Sequence, residues 1–254
     1  MSTKTAIPVR LWRMLRLISH LLWGVFLTGV LFPRYSQQKR IRATQQWSAS
    51  LLRIAQIRLH VVGRPDQLYP PNTLLVANHV SWLDIAALHA AVPHARFVAK
   101  ADVRHWPLLG WLVAAAGTLF IERERKRDAL RVVHQMAEAL RAGDTVGVFP
   151  EGTTGDGRSL LPFHANLLQA AIATETPVQP VALRYHQPGQ SPSPSVAWVG
   201  TTTLAQSLWA IACAKHLAVT VTALPPVASA HADRRALAAH LHLLLDQALE
   251  GHQA

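Results

Sequence analysis

The chain has 254 residues, enough for one large domain or one domain with an appendage. Half of the residues are apolar and only 15% are charged, below the roughly 25% usual in a soluble domain, so we expect part of the surface not to face water. The formal charge of +11 indicates an anionic partner: nucleic acid, anionic lipid headgroups or a phosphorylated substrate. The single cysteine, Cys213, excludes an internal disulfide and a cysteine-based zinc cluster.

The N-terminal part of the chain has the composition of a membrane-associated segment. The uncharged apolar run 17–32 has basic residues on both sides, and Pro33 ends it. This run is shorter than the ~20 residues that cross a bilayer upright. Residues 35–59 predict a second, amphipathic helix of the kind that lies in a headgroup layer. We therefore predict that residues 1–58 are membrane-anchoring helices.

Two other interpretations of this segment stay open. One is a hydrophobic hairpin inside a soluble protein. The other is a secretory signal, which would fit the basic start and the short apolar core, although no clear small-residue cleavage site follows.

Beyond Leu59, strand-like and helix-like segments alternate, which predicts an α/β domain over residues 59–254 with a central, mostly parallel or mixed sheet flanked by helices. The predicted strands are 58–62, 73–77, 96–99, 118–121, 145–149, 178–185, 195–199 and 217–223. The predicted helices are 82–91, 126–141, 165–174, 204–214 and 234–249. Residues 187–195, rich in Pro, Ser and Gly, predict a surface loop.

The first candidate site follows the predicted strand 73–77. His79 and Asp84 stand five residues apart at a strand-to-helix turn. A carboxylate that orients a histidine makes a general base, because it holds the imidazole tautomer and stabilises the imidazolium. The alternative is that His79 is a turn residue and Asp84 a first-turn acid favoured by the helix dipole.

A second candidate site follows the predicted strand 145–149. Glu151, Gly152 and Thr153 begin a glycine-punctuated loop that continues to Arg158. Glycines allow backbone N–H groups to turn toward an anion, and strand ends are where α/β sheets place their sites. No Gly-Lys-Ser/Thr closes the loop, so it is not a nucleotide-binding P-loop.

Two cations also stand at predicted strand ends. Arg123 is the first basic residue after strand 118–121, and Lys100 follows strand 96–99. Both are candidate anion ligands. The basic runs match no nucleic-acid-binding module, and no His-Glu-x-x-His or similar set indicates a metal.

With these residues in place, the chain resembles the glycerolipid acyltransferase family, the lysophosphatidic acid acyltransferases and their relatives. The resemblance covers about residues 59–185 and rests on four ordered motifs. They are Asn78-His79-Val80-Ser81-Trp82-Leu83-Asp84, Gly117-Thr118-Leu119-Phe120-Ile121-Glu122-Arg123, Phe149-Pro150-Glu151-Gly152-Thr153 and Pro177-Val178-Gln179-Pro180-Val181-Ala182.

The resemblance implies transfer of a fatty acyl group from acyl-CoA or acyl carrier protein to the hydroxyl of a lysolipid. It implies no metal or tightly bound cofactor, and a place on the cytoplasmic face of the inner membrane. His79 and Asp84 would be catalytic, and the headgroup would be held by the third-motif loop together with Arg123. We expect Lys100 and Arg158 to assist, and backbone amides near Val181 to stabilise the oxyanion.

The third motif departs from the pattern of many members, in which an arginine stands where this chain has Thr154. Residues 154–163 resemble a subgroup that includes lyso-ornithine lipid acyltransferases, whose acceptor lacks a phosphate. The expected acceptor is therefore 1-acylglycerol-3-phosphate, with a lyso-ornithine lipid as the alternative. Two further alternatives are a non-catalytic lipid-binding protein and a lipid hydrolase that uses a serine such as Ser81.

Overall fold

A computed structural model of the chain describes residues 5–63, 72–106, 108–121 and 126–250. They form a seven-stranded sheet of order β1-β7-β6-β2-β5-β3-β4, parallel throughout except for the antiparallel pair β6 and β7. The strands are β1 (Ile57–Val62), β2 (Leu74–Ala77), β3 (Ala95–Lys100), β4 (Leu119–Ile121), β5 (Thr145–Val148), β6 (Val178–His186) and β7 (Leu217–Ala223). The predicted α/β fold with a mostly parallel sheet is confirmed.

Helices cover both faces of the sheet. They are α1 (Ile7–Phe26), α2 (Gln37–Ile54), α3 (Leu83–Ala91), α4 (Leu109–Ala115), α5 (Lys126–Arg141), α6 (Gln169–Thr174), α7 (Leu204–Cys213) and α8 (Arg234–Glu250). One core packs α2, α3 and α7 against the sheet, and the other packs α5, α6 and α8 against the opposite face. Strand β2 lies in the middle with all four residues buried, as expected for a strand covered on both sides.

The two N-terminal helices, α1 and α2, form a hairpin that packs into the core that contains α3 and α7. A π-helical turn and a short 3-10 turn extend α1, so that Ile7–Arg34 is one helical run, and its most apolar 18-residue window has a mean hydropathy of 1.7. By length and composition it could cross a membrane, although a soluble core helix or a signal sequence can have the same properties. Ser36 then caps the start of helix α2, because its hydroxyl accepts the N–H of Lys39. Leu17 and Leu51 of this hairpin are buried in the same core as the sheet.

One predicted boundary and one predicted strand are wrong. The helix predicted over 35–59 ends at Ile54, because from Ile57 the chain pairs with β7 as strand β1. The strand predicted over 195–199 is a turn followed by irregular chain. There the N–H of Trp198 donates to the carbonyl of Val80 in a loop rather than to a sheet neighbour.

Helix α4 was not predicted from the sequence. At seven residues it is too short to show a helical period, and it starts after Leu108 in a left-handed backbone conformation with φ of 62°. Together with the 3-10 turn Ala101–His105 it fills the connection from β3 to β4.

Candidate active site

The candidate site lies at the carboxyl end of β2, in the centre of the sheet. Asn78, the first residue after β2, ties this end to β6. Its side-chain N–H donates to the carbonyl of Leu183 at 2.9 Å, and its side-chain oxygen accepts the N–H of Leu183 at 2.7 Å. The chain therefore leaves the sheet at a fixed point, and His79 follows directly.

His79 and Asp84 are brought together as the sequence predicts. The Nδ1 atom of His79 lies 2.7 Å from Oδ2 of Asp84. The same oxygen accepts the backbone N–H groups of Val80 at 2.7 Å and Ser81 at 2.9 Å. Asp84 stands in the first turn of α3 with its side chain fully buried, whereas 19% of the His79 side chain is exposed. The bond at Nδ1 orients the imidazole and leaves Nε2 available for a substrate.

An aromatic wall holds the plane of the imidazole. The His79 ring stacks on Phe149 with the ring centroids 4.1 Å apart, and Phe149 in turn stacks on Phe97. Phe149 directly follows β5, the strand beside β2. The two neighbouring strand ends therefore provide both the imidazole and its support.

Glu151 joins the second predicted site to the first. Its Oε1 atom accepts the backbone N–H of His79 at 2.6 Å, and its Oε2 atom accepts the N–H of Leu161 at 2.9 Å. The side chain is buried, and this burial raises the pKa of the carboxyl against the opposing effect of both N–H groups. Gly155 adds a backbone bond to the carbonyl of His79 at 2.8 Å. The loop that follows β5 thus holds the main chain of His79 in place.

His79 also lines an apolar cavity of about 440 Å³, which is bounded by α1, α2, α3 and α4. Its large apolar wall residues include Leu21, Trp47, Leu51, Trp82, Ile85, Leu109, Leu112 and Phe149. A mainly apolar cavity with few polar groups is typical of a site that takes an apolar ligand.

Comparison with known proteins agrees with this geometry. A family model described as "Acyltransferase" matches residues 59–184. A 1-acyl-sn-glycerol-3-phosphate acyltransferase of Neisseria meningitidis is 40% identical over 186 residues, which cover 72% of this chain and 71% of that protein. The chain belongs to the acyltransferase family.

Two further comparisons place this acyltransferase among its relatives. A lyso-ornithine lipid O-acyltransferase of Pseudomonas aeruginosa is 37% identical over 215 residues, which cover 85% of this chain and 81% of that protein. The crystal structure of an acyltransferase from Thermotoga maritima has the same fold, with a TM-score of 0.68 and 22% identity over 95% of this chain and 98% of that one.

The remaining predicted residues of the acyltransferase divide into two groups. Lys100, Gly152 and Thr153 line the cavity that His79 lines, and Lys100 and Thr153 are exposed there. Gly152 has a φ of +73°, a backbone conformation that side chains rarely adopt. These three residues come from the ends of β3 and β5, as expected for neighbouring parallel strands.

Arg158 and Val181 are not among the residues that line the described cavity. The Arg158 side chain is 78% exposed, with its Nε atom 3.9 Å from Oδ2 of Asp156. Val181 is buried within β6, where it pairs with Ala77 and Ala223, and it does not line the described cavity. Arg123 lies outside the described residues. The roles of all three stay predictions.

Sequence reasoning missed two contributors to this region. Trp198 lines the cavity, stacks on Trp106 and accepts the Thr154 hydroxyl at its carbonyl, so the irregular segment after β6 forms part of the wall. Tyr185 is fully buried, and burial followed by the nearby Asp84 charge raises its pKa well above the ordinary value. No motif marks either residue, because each reaches the site through the packing of β6 and its loop.

Two other predictions concern the chemistry. The first is the lipid hydrolase that would use Ser81. Ser81 is fully buried, its hydroxyl accepts the N–H of Leu83 at 3.4 Å, and it is not among the residues that line the described cavity. Over residues 5–63, 72–106, 108–121 and 126–250, no group of three or more His, Cys, Asp or Glu side chains could hold a metal ion.

Proposed function

We propose that this enzyme transfers a fatty acyl group from acyl-CoA or acyl carrier protein to the hydroxyl of a membrane lysolipid, with 1-acylglycerol-3-phosphate as the acceptor. The observation that carries the proposal is the 2.7 Å bond between His79 and Asp84 at an apolar cavity large enough for part of an acyl chain. The product would be phosphatidic acid.

His79 acts as the general base in this mechanism. Its Nε2 atom takes the proton of the acceptor hydroxyl as the oxygen attacks the thioester carbonyl, and Asp84 stabilises the imidazolium that forms. The tetrahedral intermediate then collapses. The carbon–sulfur bond breaks, and the imidazolium returns its proton to the departing thiolate, so that the free thiol and the new ester leave.

Direct transfer is favoured over an acyl-enzyme. Cys213 ends α7, where its carbonyl accepts the Thr5 N–H at 3.1 Å and the Thr5 hydroxyl at 2.9 Å, and it is not among the residues that line the cavity. Ser81 is buried in the turn before α3. Neither Cys213 nor Ser81 therefore lines the described cavity as a nucleophile for His79 to activate, and His79 is left to act as a base on the acceptor hydroxyl.

The headgroup of the acceptor would lie over the loop after β5. Lys100 and Thr153 are exposed and line the same cavity as His79, so they can donate to phosphate oxygens, and Arg123 would add a bidentate contact from the second motif. Glu151 would act through the backbone of His79, and Arg158 would meet the headgroup at the rim of the loop.

One observation favours the alternative acceptor, a lyso-ornithine lipid. Thr154 stands where many family members have an arginine, and its hydroxyl is already bonded to the carbonyl of Trp198. Thr154 thus offers a phosphate neither the positive charge of an arginine nor a free hydroxyl. A 1-acyl-sn-glycerol-3-phosphate acyltransferase and a lyso-ornithine lipid O-acyltransferase match this chain at similar identity, 40% and 37%.

The N-terminal helices would bring the site to the lipid, with residues 1–58 as the anchoring part and residues 59–254 as the acyltransferase domain. Exposed apolar residues recur along α1 at intervals of three or four, and we call them the α1 apolar face. They are Ile7, Leu11, Leu15, Ile18, Leu22 and Phe26. A face of this kind would seat the helix in the bilayer interface. Leu21 and Gly24 of the same helix line the cavity, so acyl chains would enter it from the lipid near α1. Because the proposed donors are soluble, we propose that this face meets the cytoplasmic side of the inner membrane.

The test is a parallel assay of purified full-length protein in vesicles. Labelled acyl-CoA or acyl carrier protein is offered with lysophosphatidate and, separately, with lyso-ornithine lipid. Faster transfer to lysophosphatidate supports the proposal, and faster transfer to lyso-ornithine lipid replaces the acceptor. Release of free fatty acid with no transfer to either would contradict it.

A further inference from the structure

The acyl cavity contains a polar group that the reaction at His79 does not use. His89 lies one turn after Ile85 on α3, and both residues line the cavity. The His89 side chain is only 4% exposed to solvent. Its Nδ1 atom is buried with no hydrogen-bond partner, and neither ring nitrogen has a hydrogen bond to the described residues.

The protonation state of His89 shows that the ring lacks a hydrogen-bond donor for one of its nitrogen atoms. Burial lowers its pKa to about 4, so the imidazole is neutral near pH 7, with one N–H and one bare nitrogen. Its ring meets Phe97 edge to face with the centroids 5.0 Å apart. An aromatic face can receive the N–H edge weakly, but it offers no donor to the bare nitrogen. A buried acceptor without a donor is costly, so an apolar side chain would suit this position better unless a ligand supplies the donor.

His89 has polar neighbours across the cavity. Thr44 and Ser48 stand one turn apart on α2 and line the same cavity. The side-chain N–H of Gln45 donates to the carbonyl of Ala90 at 3.2 Å, which holds α2 against α3 beside His89. Two hydroxyls and an imidazole are therefore placed where α2 meets α3, within walls that are otherwise mainly apolar.

The position of this cluster indicates which part of a ligand it would meet. His89 is six residues after Leu83, where α3 begins next to His79, and this separation corresponds to about 9 Å along a helix. An acyl chain with its thioester carbonyl at His79 and its methylenes in the cavity would pass His89 at mid-chain.

We propose that His89, with Thr44 and Ser48, binds a hydroxyl group carried on the acyl chain, so that the enzyme prefers a hydroxylated fatty acyl donor. The inference rests on the proposed function, because it takes the cavity as the acyl-chain site. The hydroxyl donates its hydrogen to the bare nitrogen of His89, and its oxygen accepts a hydrogen bond from one of the α2 hydroxyls.

The experiment uses full-length enzyme in vesicles with acyl-CoA donors of one chain length. One donor is unsubstituted, and the others carry a single hydroxyl at successive mid-chain carbons. We expect kcat/KM to be roughly 3- to 10-fold higher for at least one hydroxylated donor, as one neutral hydrogen bond would give. His89→Leu should abolish this preference, and His89→Gln, which keeps a polar atom, should retain part of it.

Ile85→Leu is the matched control, because it changes the shape of the same cavity wall without changing its polarity. It should alter transfer from hydroxylated and unsubstituted donors by the same factor. Melting curves check that each variant is folded.

The outcomes separate this inference from the proposed function. Wild-type enzyme that transfers unsubstituted chains with no preference at any hydroxyl position overturns the inference and leaves the proposed function intact. A preference that His89→Leu and His89→Gln both leave unchanged also overturns it. Absence of acyl transfer from every donor overturns both.

Discussion

The backbone N–H of His79 donates to Oε1 of Glu151 across 2.6 Å, which joins two motifs that are 72 residues apart in the chain. The second oxygen of Glu151 holds Leu161 at the far end of the same loop. Both oxygens thus bind main-chain donors in a buried setting. We therefore expect Glu151 to position the imidazole through the backbone of His79, in addition to any contact with a headgroup.

Replacement of Glu151 tests this relationship. In Glu151→Gln one carboxylate oxygen becomes an NH₂ group. This group cannot accept a hydrogen bond, so the backbone N–H of either His79 or Leu161 loses its acceptor. We expect the free energy of unfolding to fall by about 1–3 kcal/mol and kcat to fall with it. Urea unfolding and transfer assays measure the two effects. Glu138→Gln on the exposed side of α5 is the control, and equal effects of both variants would contradict the assignment.

The His79–Asp84 pair predicts a large effect on rate with little effect on the fold. His79→Ala should lower kcat by about 10²–10⁴-fold, the range that a general base contributes. Asp84→Asn should also lower it, because an amide no longer stabilises the imidazolium. His134→Ala, at an exposed position on α5, should leave transfer unchanged. Appreciable transfer by folded His79→Ala would show that another group acts as the base.

Gly24 gives a test of how the N-terminal hairpin shapes the cavity. A Cβ atom there would come within 2.7 Å of the Trp47 indole nitrogen and 2.9 Å of a Leu112 methyl group. Because His20 stacks on the Trp47 ring, the indole has little room to yield. Gly24→Ala should cost about 1–3 kcal/mol of stability. Gly29→Ala, which meets only Trp111 at 3.8 Å, should be neutral, and equal melting temperatures would contradict the prediction.

The α1 apolar face predicts how the enzyme meets a membrane. Ile18→Glu combined with Leu22→Glu places two charges on exposed positions, so folding should be retained while vesicle binding weakens at least tenfold. Cosedimentation with anionic vesicles measures the change. Leu130→Glu, at a 71% exposed position on α5, is the control. Undiminished binding by the double variant would place the membrane contact on another surface.

His89 predicts a pH dependence of stability with a defined sign. Its pKa is lowered from 6.5 to about 4 in the folded protein, so the unfolded chain takes up the proton first on acidification. The free energy of unfolding should therefore fall as the pH drops from about 6.5 to about 4, by about 3 kcal/mol from this group. His89→Leu should remove this part of the slope. Urea unfolding at several pH values measures it, and identical slopes would contradict the burial of a neutral ring.

Much of the α/β domain could be predicted from its sequence. Seven of the eight predicted strands exist, because short apolar runs between turn signals have few other ways to bury themselves. The exception is 195–199, which has the composition of a strand. After the chain leaves β6, this segment pairs with no described strand, and its Trp198 lines the cavity. Helix α4 was missed since seven residues carry no readable period. The boundary error at the end of α2 arose because the chain enters β1 only two residues after Ala55.

The sequence alone determined the reaction family and the meeting of His79 with Asp84. Five residues at a strand-to-helix turn are enough to bring the imidazole and the carboxylate within 2.7 Å, so this contact is local. Only the tertiary structure decided the contacts of Glu151 with the backbone of His79 and Leu161, and the walls of the cavity. It also decided the burial of His89 and the place of Trp198 over the site. These features join residues that lie tens of positions apart, and such pairings follow from the order of strands and the packing of helices on the sheet, which no spacing in the sequence encodes.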